Sequence, residues 1–176
     1  MHIHPSLRNE DVGLLFEAVR TLLTERGYQR RDLIWYSHTP DLIRVLRFDP
    51  GLTRIRARFA VGISLHALDG VDDPTVWDSI LPLRCRATHP QIEDCAISVS
   101  LQRLVLDRAR YDELTDFTDR SRSHSDSIPQ ILEVLTGCAL PLLEGFSTLE
   151  DVRRFVQSER ASVLTVRDAA KTILCT

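Results

Sequence analysis

Residues 52–66 read LTRIRARFAVGISLH and carry two period-2 patterns in one register. Ile55, Ala57, Phe59, Val61, Ile63 and Leu65 fall on one side of an extended chain, while Arg54, Arg56, Arg58, Ala60, Gly62, Ser64 and His66 fall on the other. Successive strand side chains point to opposite faces, so this alternation predicts a strand with one packed and one wet face. Three arginines on the wet side give that face a preference for anionic groups. That is a binding property, not a catalytic one.

Working outward, the chain before this strand completes a meander. Asp49-Pro50-Gly51 is a turn signal, because proline presets φ and glycine takes φ > 0 freely. Residues 42–48 (LIRVLRF) read as the preceding strand, 37–41 (SHTPD) as another turn and 33–36 (LIWY) as a first strand. Such short connections suit antiparallel pairing and leave no room for the crossover helices of a parallel sheet. Ahead of them Val12, Leu15, Phe16, Val19, Leu22 and Leu23 form one helical stripe over residues 9–26, with Asn9 as its N-cap and Gly27 as its left-handed stop. After the long strand, residues 83–88 (LRCRAT) and 95–101 (CAISVSL) alternate again and predict two further strands.

From Asp107 the period changes to helical. Residues 119–127 (DRSRSHSDS) read as a polar surface loop. Ile128, Ile131, Leu132, Leu135, Cys138, Ala139 and Leu142 trace a stripe entered at Ser127 and Pro129 and kinked or ended by Pro141. The run Ser147-Thr148-Leu149-Glu150 fits a capping box opening a helix on Leu149, Val152, Phe155 and Val156, and a last short helix carries Val166, Ala169, Ala170 and Ile173. The expected fold is α+β, a single domain over residues 1–176. It has one helix, an antiparallel sheet of about five strands, then three or four helices.

At 176 residues, 43% hydrophobic and 27% charged, the composition is that of an ordinary globular protein. Residues 1–66 hold ten basic and seven acidic side chains, whereas residues 67–176 hold twelve and eighteen, so the net charge of −3 hides a basic strand region and an acidic helical one. A pI of about 6.1 argues against whole-chain nucleic-acid binding. Phe59 also faces away from the arginines, where a stacking platform for single strands would need it. No apolar run approaches the roughly 20 residues of a membrane span, and residues 1–12 lack the apolar core of a secretory signal, so the expectation is a cytoplasmic chain without membrane contact. Cys85, Cys95, Cys138 and Cys175 are scattered, which favours free thiols.

Gly27-Tyr28, Trp35-Tyr36, RVLRFD at residues 44–49, FAVGISL at 59–65 and LPLLEGFSTLEDVRRFV at 140–156 resemble a bacterial family of small domains with a helix, an antiparallel meander and a helical tail. The resemblance spans residues 11–157. It implies an α+β fold and brings with it no assigned activity and no catalytic residues. Comparable small bacterial domains serve as immunity or antitoxin proteins, which is an analogy of fold.

The candidate binding residues are therefore Arg54, Arg56 and Arg58 with Arg84 and Arg86 from a neighbouring strand and His66 at the end of the wet face. Catalytic constellations do not assemble. Ser123-His124-Ser125-Asp126 holds the residue types of a triad, but neighbours in one loop cannot orient one another. Cys138 lies on an apolar stripe, where a thiol behaves as a small hydrophobe. The pairs His2/His4 and Cys85/His89 lack the second pair of a zinc site, and no glycine-rich phosphate loop occurs, so no metal or cofactor is implied. The leading expectation is a non-enzymatic protein-binding module that meets a protein partner through the arginine face or the acidic run at residues 107–119. The alternative is an anionic-ligand pocket or enzyme site between sheet and helices, lined by Arg58, Ser64, His66 and Gln102.

Overall fold

The computed structural model describes residues 9–51, 55–65, 91–119, 123–158 and 162–174. Helix α1 (Glu10–Glu25) starts where the Asn9 carboxamide accepts from the Val12 N–H at 3.1 Å, and it stops at Gly27, whose φ of +79° a side chain would resist. Six strands follow in sequence order across one antiparallel sheet: β1 (Gln29–Arg31), β2 (Ile34–His38), β3 (Leu42–Asp49), β4 (Arg58–Leu65), β5 (Ile97–Ser100) and β6 (Thr165–Val166). Pairing Phe48 with Phe59 and Leu46 with Val61 sets the register of the central pair. The α+β expectation holds.

Strand β4 begins six residues later than its alternation suggested. The last rung of its ladder with β3 joins Asp49 to Arg58, because Pro50 has no N–H and cannot extend the partner strand. The freed backbone of residues 55–57 pairs elsewhere. Ala57 N–H donates to Thr115 O at 2.8 Å and Phe117 N–H to Ile55 O at 2.7 Å, around a bridge between Arg56 and Asp116. Backbone groups near a core require partners, and the segment at residues 115–117 supplies them.

Two strands were not anticipated. β1 is wholly polar and turns into β2 at Asp32, which adopts φ +53°. β6 is only two residues long. The strand expected at residues 83–88 lies outside the described residues. At residues 95–101 only the centre is strand; Leu101 opens the short helix α2 (Leu101–Leu104).

Three longer helices complete the described tail with a last short one: α3 (Arg108–Thr115), α4 (Ser127–Glu144), α5 (Leu149–Val156) and α6 (Asp168–Leu174). Pro141 does not end α4. A π turn over Leu135–Ala139, in which Leu140 N–H reaches back to Leu135 O, widens the helix just where the proline ring would strike a carbonyl. The end of α4 is fastened to the sheet by Arg44, whose Nε and Nη2 donate to Phe146 O at 3.0 and 2.7 Å, and to α1 by Arg26, which bonds both Glu144 carboxylate oxygens at 3.1 Å. The capping box of α5 forms one residue later than predicted, from Thr148 and Asp151.

Among the described residues, buried side chains of all six helices join one cluster with a single sheet face, carrying Trp35, Leu46, Phe48, Phe59, Val61 and Val99. The opposite face is closed over Ile34, Ile43 and Val45 by a 3-10 turn at Ile92–Asp94, through Ile92 and Cys95. No single helix among the described residues is long and apolar enough to cross a membrane.

Candidate functional site

Of the predicted arginine face, Arg56 and Arg58 lie among the described residues. Arg58 is exposed at the β4 start, beside Asp49 in register. Arg56 stands outside the ladder and donates from Nη2 to Asp116 Oδ2 at 3.3 Å, with each side chain about one-third exposed (28% and 34%). Further along, Gly62 and Ser64 are buried, so the far half of the supposed wet face is covered. Arg54, His66, Arg84 and Arg86 lie outside the described residues, as do Cys85 and His89.

Of the residues expected to line a ligand pocket between sheet and helices, Arg58, Ser64 and Gln102 lie among the described residues. Ser64 is buried, and Gln102 sits in α2, where its amide donates to both Asp112 oxygens at 2.6 and 2.8 Å. A cavity between the sheet and the end of α4 holds about 10 Å³ and is lined by Val61, Ile63, Leu143 and Phe146 among others. That is about one water.

What the fold does assemble is a groove of about 470 Å³ around Arg56. Its walls are Asp112, Glu113, Asp116, Thr118, Asp119 and His124. Helix α3, capped where Asp107 Oδ1 accepts from Arg110 N–H at 2.8 Å, carries Asp112 and Glu113 on its last turn. The chain then extends, and Asp116 pairs across to Arg56. Asp112 from the helix and Asp116 from the extended segment after it line the same space. Hydrogen bonds from Thr118 hold the Asp116 carboxyl below its ordinary range, assisted by the Arg56 charge. Glu113 accepts from Arg110 at 3.1 Å and is otherwise exposed.

His124 was expected in a polar surface loop but is buried, with 5% of its surface exposed. Its ring lies 4.8 Å from that of Phe117, and its Nε2 is 3.0 Å from Asp119 O. Its backbone N–H donates to Asp11 on α1 at 3.3 Å. Nothing periodic in residues 119–127 announces this burial; the aromatic Phe117 just upstream is the only local hint. The acidic run at 107–119 was legible as a charged face, whereas its closure around Arg56 depends on the non-ladder pairing of residues 55–57.

Chemically the groove is an array of acceptors about one cation. Among the described residues, no three of the His, Cys, Asp and Glu side chains are arranged to hold a metal ion. Comparison with protein-family models, with curated proteins and with solved structures finds no match.

Proposed function

We propose that this chain is a non-enzymatic protein-binding module of the immunity or antitoxin type, and that its contact surface is the carboxylate groove rather than the arginine strand. The observation that carries this reading is the composition of the groove: four carboxylates surround one arginine that is already paired with Asp116. An anion entering there would meet net negative charge, while a basic protein surface would be steered in. The analogy with small bacterial inhibitor domains supplies the class of partner.

Affinity capture from the source cell tests it. Glu113 and Asp119 are exposed at the rim, so Glu113→Lys with Asp119→Lys reverses the charge without disturbing the core. The double variant is expected to lose partner capture at least about tenfold, as like-charge juxtaposition costs several kcal/mol. Arg58→Glu is expected to retain capture. Loss with Arg58→Glu and retention with the double variant would return the contact to the sheet.

A further inference from the structure

We infer that the Arg56 side chain is an internal occupant of the groove, an autoinhibitory contact that leaves when a partner docks; this rests on the protein-binding reading above. The backbone at this point is held without the side chain. Ala57 N–H donates to Thr115 O at 2.8 Å and Phe117 N–H to Ile55 O at 2.7 Å. Between these bonds Arg56 and Asp116 form the non-hydrogen-bonded pair of an antiparallel bridge, the arrangement that brings opposite side chains closest. The main chain therefore delivers Arg56 to the groove, whatever its guanidinium then does.

The guanidinium itself is poorly seated. Nη2 reaches Asp116 Oδ2 at 3.3 Å, and Nε is buried without a hydrogen-bond partner. Both side chains of the pair are partly exposed. A buried donor that meets no acceptor costs more than a partly exposed ion pair returns, so the inward pose is balanced near release. Swinging outward gives Nε to water and leaves the bridge intact.

Arg44 shows what a structural arginine does in this fold. It donates to Phe146 O from Nε at 3.0 Å and from Nη2 at 2.7 Å, and so ties the end of α4 to the sheet. Arg47 also has a buried Nε with no partner, but it pairs with Glu93 and does not line the groove. Arg56 combines the orphaned Nε, a single ion-pairing nitrogen and a place inside the groove.

Asp116 does not need Arg56 to keep its charge. Its carboxyl lies below the ordinary range first through hydrogen bonding with Thr118, against the opposing effect of burial, and only then through the arginine. An arginine that leaves therefore uncovers an ionised carboxylate beside Asp112 and Glu113. While it stays, the apparent affinity of a partner is reduced by the fraction of molecules whose groove is open.

The test uses the full chain. The Nε–Hε NMR signal of Arg56, assigned by its absence from Arg56→Lys, is compared with that of Arg44. Exchange with water is expected to be at least about tenfold faster for Arg56, because an outward pose exposes its buried Nε. Arg56→Gln should keep the melting temperature within about 2 °C, whereas Arg44→Gln should lower it by at least about 4 °C. In affinity capture from the source cell, Arg56→Gln should take up about two- to fivefold more partner than the native chain, the factor such an ion pair is worth. Arg58→Gln makes the same charge change outside the groove and should bring no gain. Equal protection of the two Nε protons, a melting-temperature loss in Arg56→Gln matching that of Arg44→Gln, or an equal gain with Arg58→Gln would each overturn the occupant. Capture that the Glu113 and Asp119 charge reversal abolishes but Arg56→Gln fails to raise retains the binding module and removes the autoinhibition. Absence of capture by every variant would sink the module and the autoinhibition with it, even beside fast Arg56 exchange.

Discussion

The two faces of this sheet are closed by different physics. On one, buried side chains from the six described helices interlock with Trp35, Phe48 and Phe59, whose rings continue into Phe16 at centroid separations of 5.1 to 6.2 Å. On the other, among the described residues, five buried residues form a small cluster that includes Ile92 and Cys95 of a 3-10 turn and its end. The first face is stabilised by area, which spreads a loss over many neighbours. The second depends on close approach: a β-carbon built on Gly62 would sit 2.6 Å from Cys95 Sγ and 2.9 Å from Cys95 Cβ. Glycine at 62 is what lets the turn touch the sheet.

The sharpest way to test this contrast is to empty one face and overfill the other. Trp35 is fully buried with its ring 5.4 Å from that of Phe16, so Trp35→Ala should lose about 3–5 kcal/mol by urea denaturation. Gly62→Ala should lose about 1–3 kcal/mol, because the added methyl group meets Cys95 Cβ and the turn's backbone has to move. Adding Cys95→Ala removes the sulfur and should recover part of that loss, a coupling of about 0.5–3 kcal/mol. The same Cys95→Ala paired with Trp35→Ala should be additive, since the two residues belong to separate clusters. Coupling between them would dissolve the distinction between the faces.

The helix-covered face was legible because its signals are local and periodic. The α1 stripe, the alternation through Phe59 and Val61, and the Asn9 and Gly27 boundaries each follow from neighbours a few residues apart. The second face was misread because its cover comes from residues 91–95, some thirty positions beyond the strand it seals. Gly62 and Ser64 looked wet for want of any local mark of that contact. The setting of Arg56 was hidden for a related reason. Pro50 stops the β3 ladder at Asp49, and the orphaned residues 55–57 find partners at Thr115 and Phe117, which sets Arg56 beside the Asp116 carboxylate. Charge along 107–119 was readable as composition, but its convergence with His124 is tertiary.

The mildest effect expected separates the two covers by their response to acid. Glu93, on the 3-10 turn, bonds Arg47 on β3 at the rim of the second face. Burial raises its carboxyl, but a backbone hydrogen bond and the Arg47 guanidinium outweigh that and hold it below the ordinary carboxylate value. A depressed folded value means the contribution is present above the unfolded pKa and fades as the pH falls through the folded one. Glu93 is largely exposed, so the pair is worth about 0.2–1 kcal/mol at most. Glu93→Gln should therefore cost that little at neutral pH, lose its effect in acid and shrink in high salt. The exchange of the Ala96 amide, which donates to Ile63 O at 2.8 Å, is the local reporter. Faster exchange there, with the amides of α1 unchanged, is the expected result, because a turn packed through a small five-residue cluster can lift without unfolding the helical face. Equal acceleration in α1 would mean that the turn opens only with the whole molecule, and that the two faces share one cooperative unit.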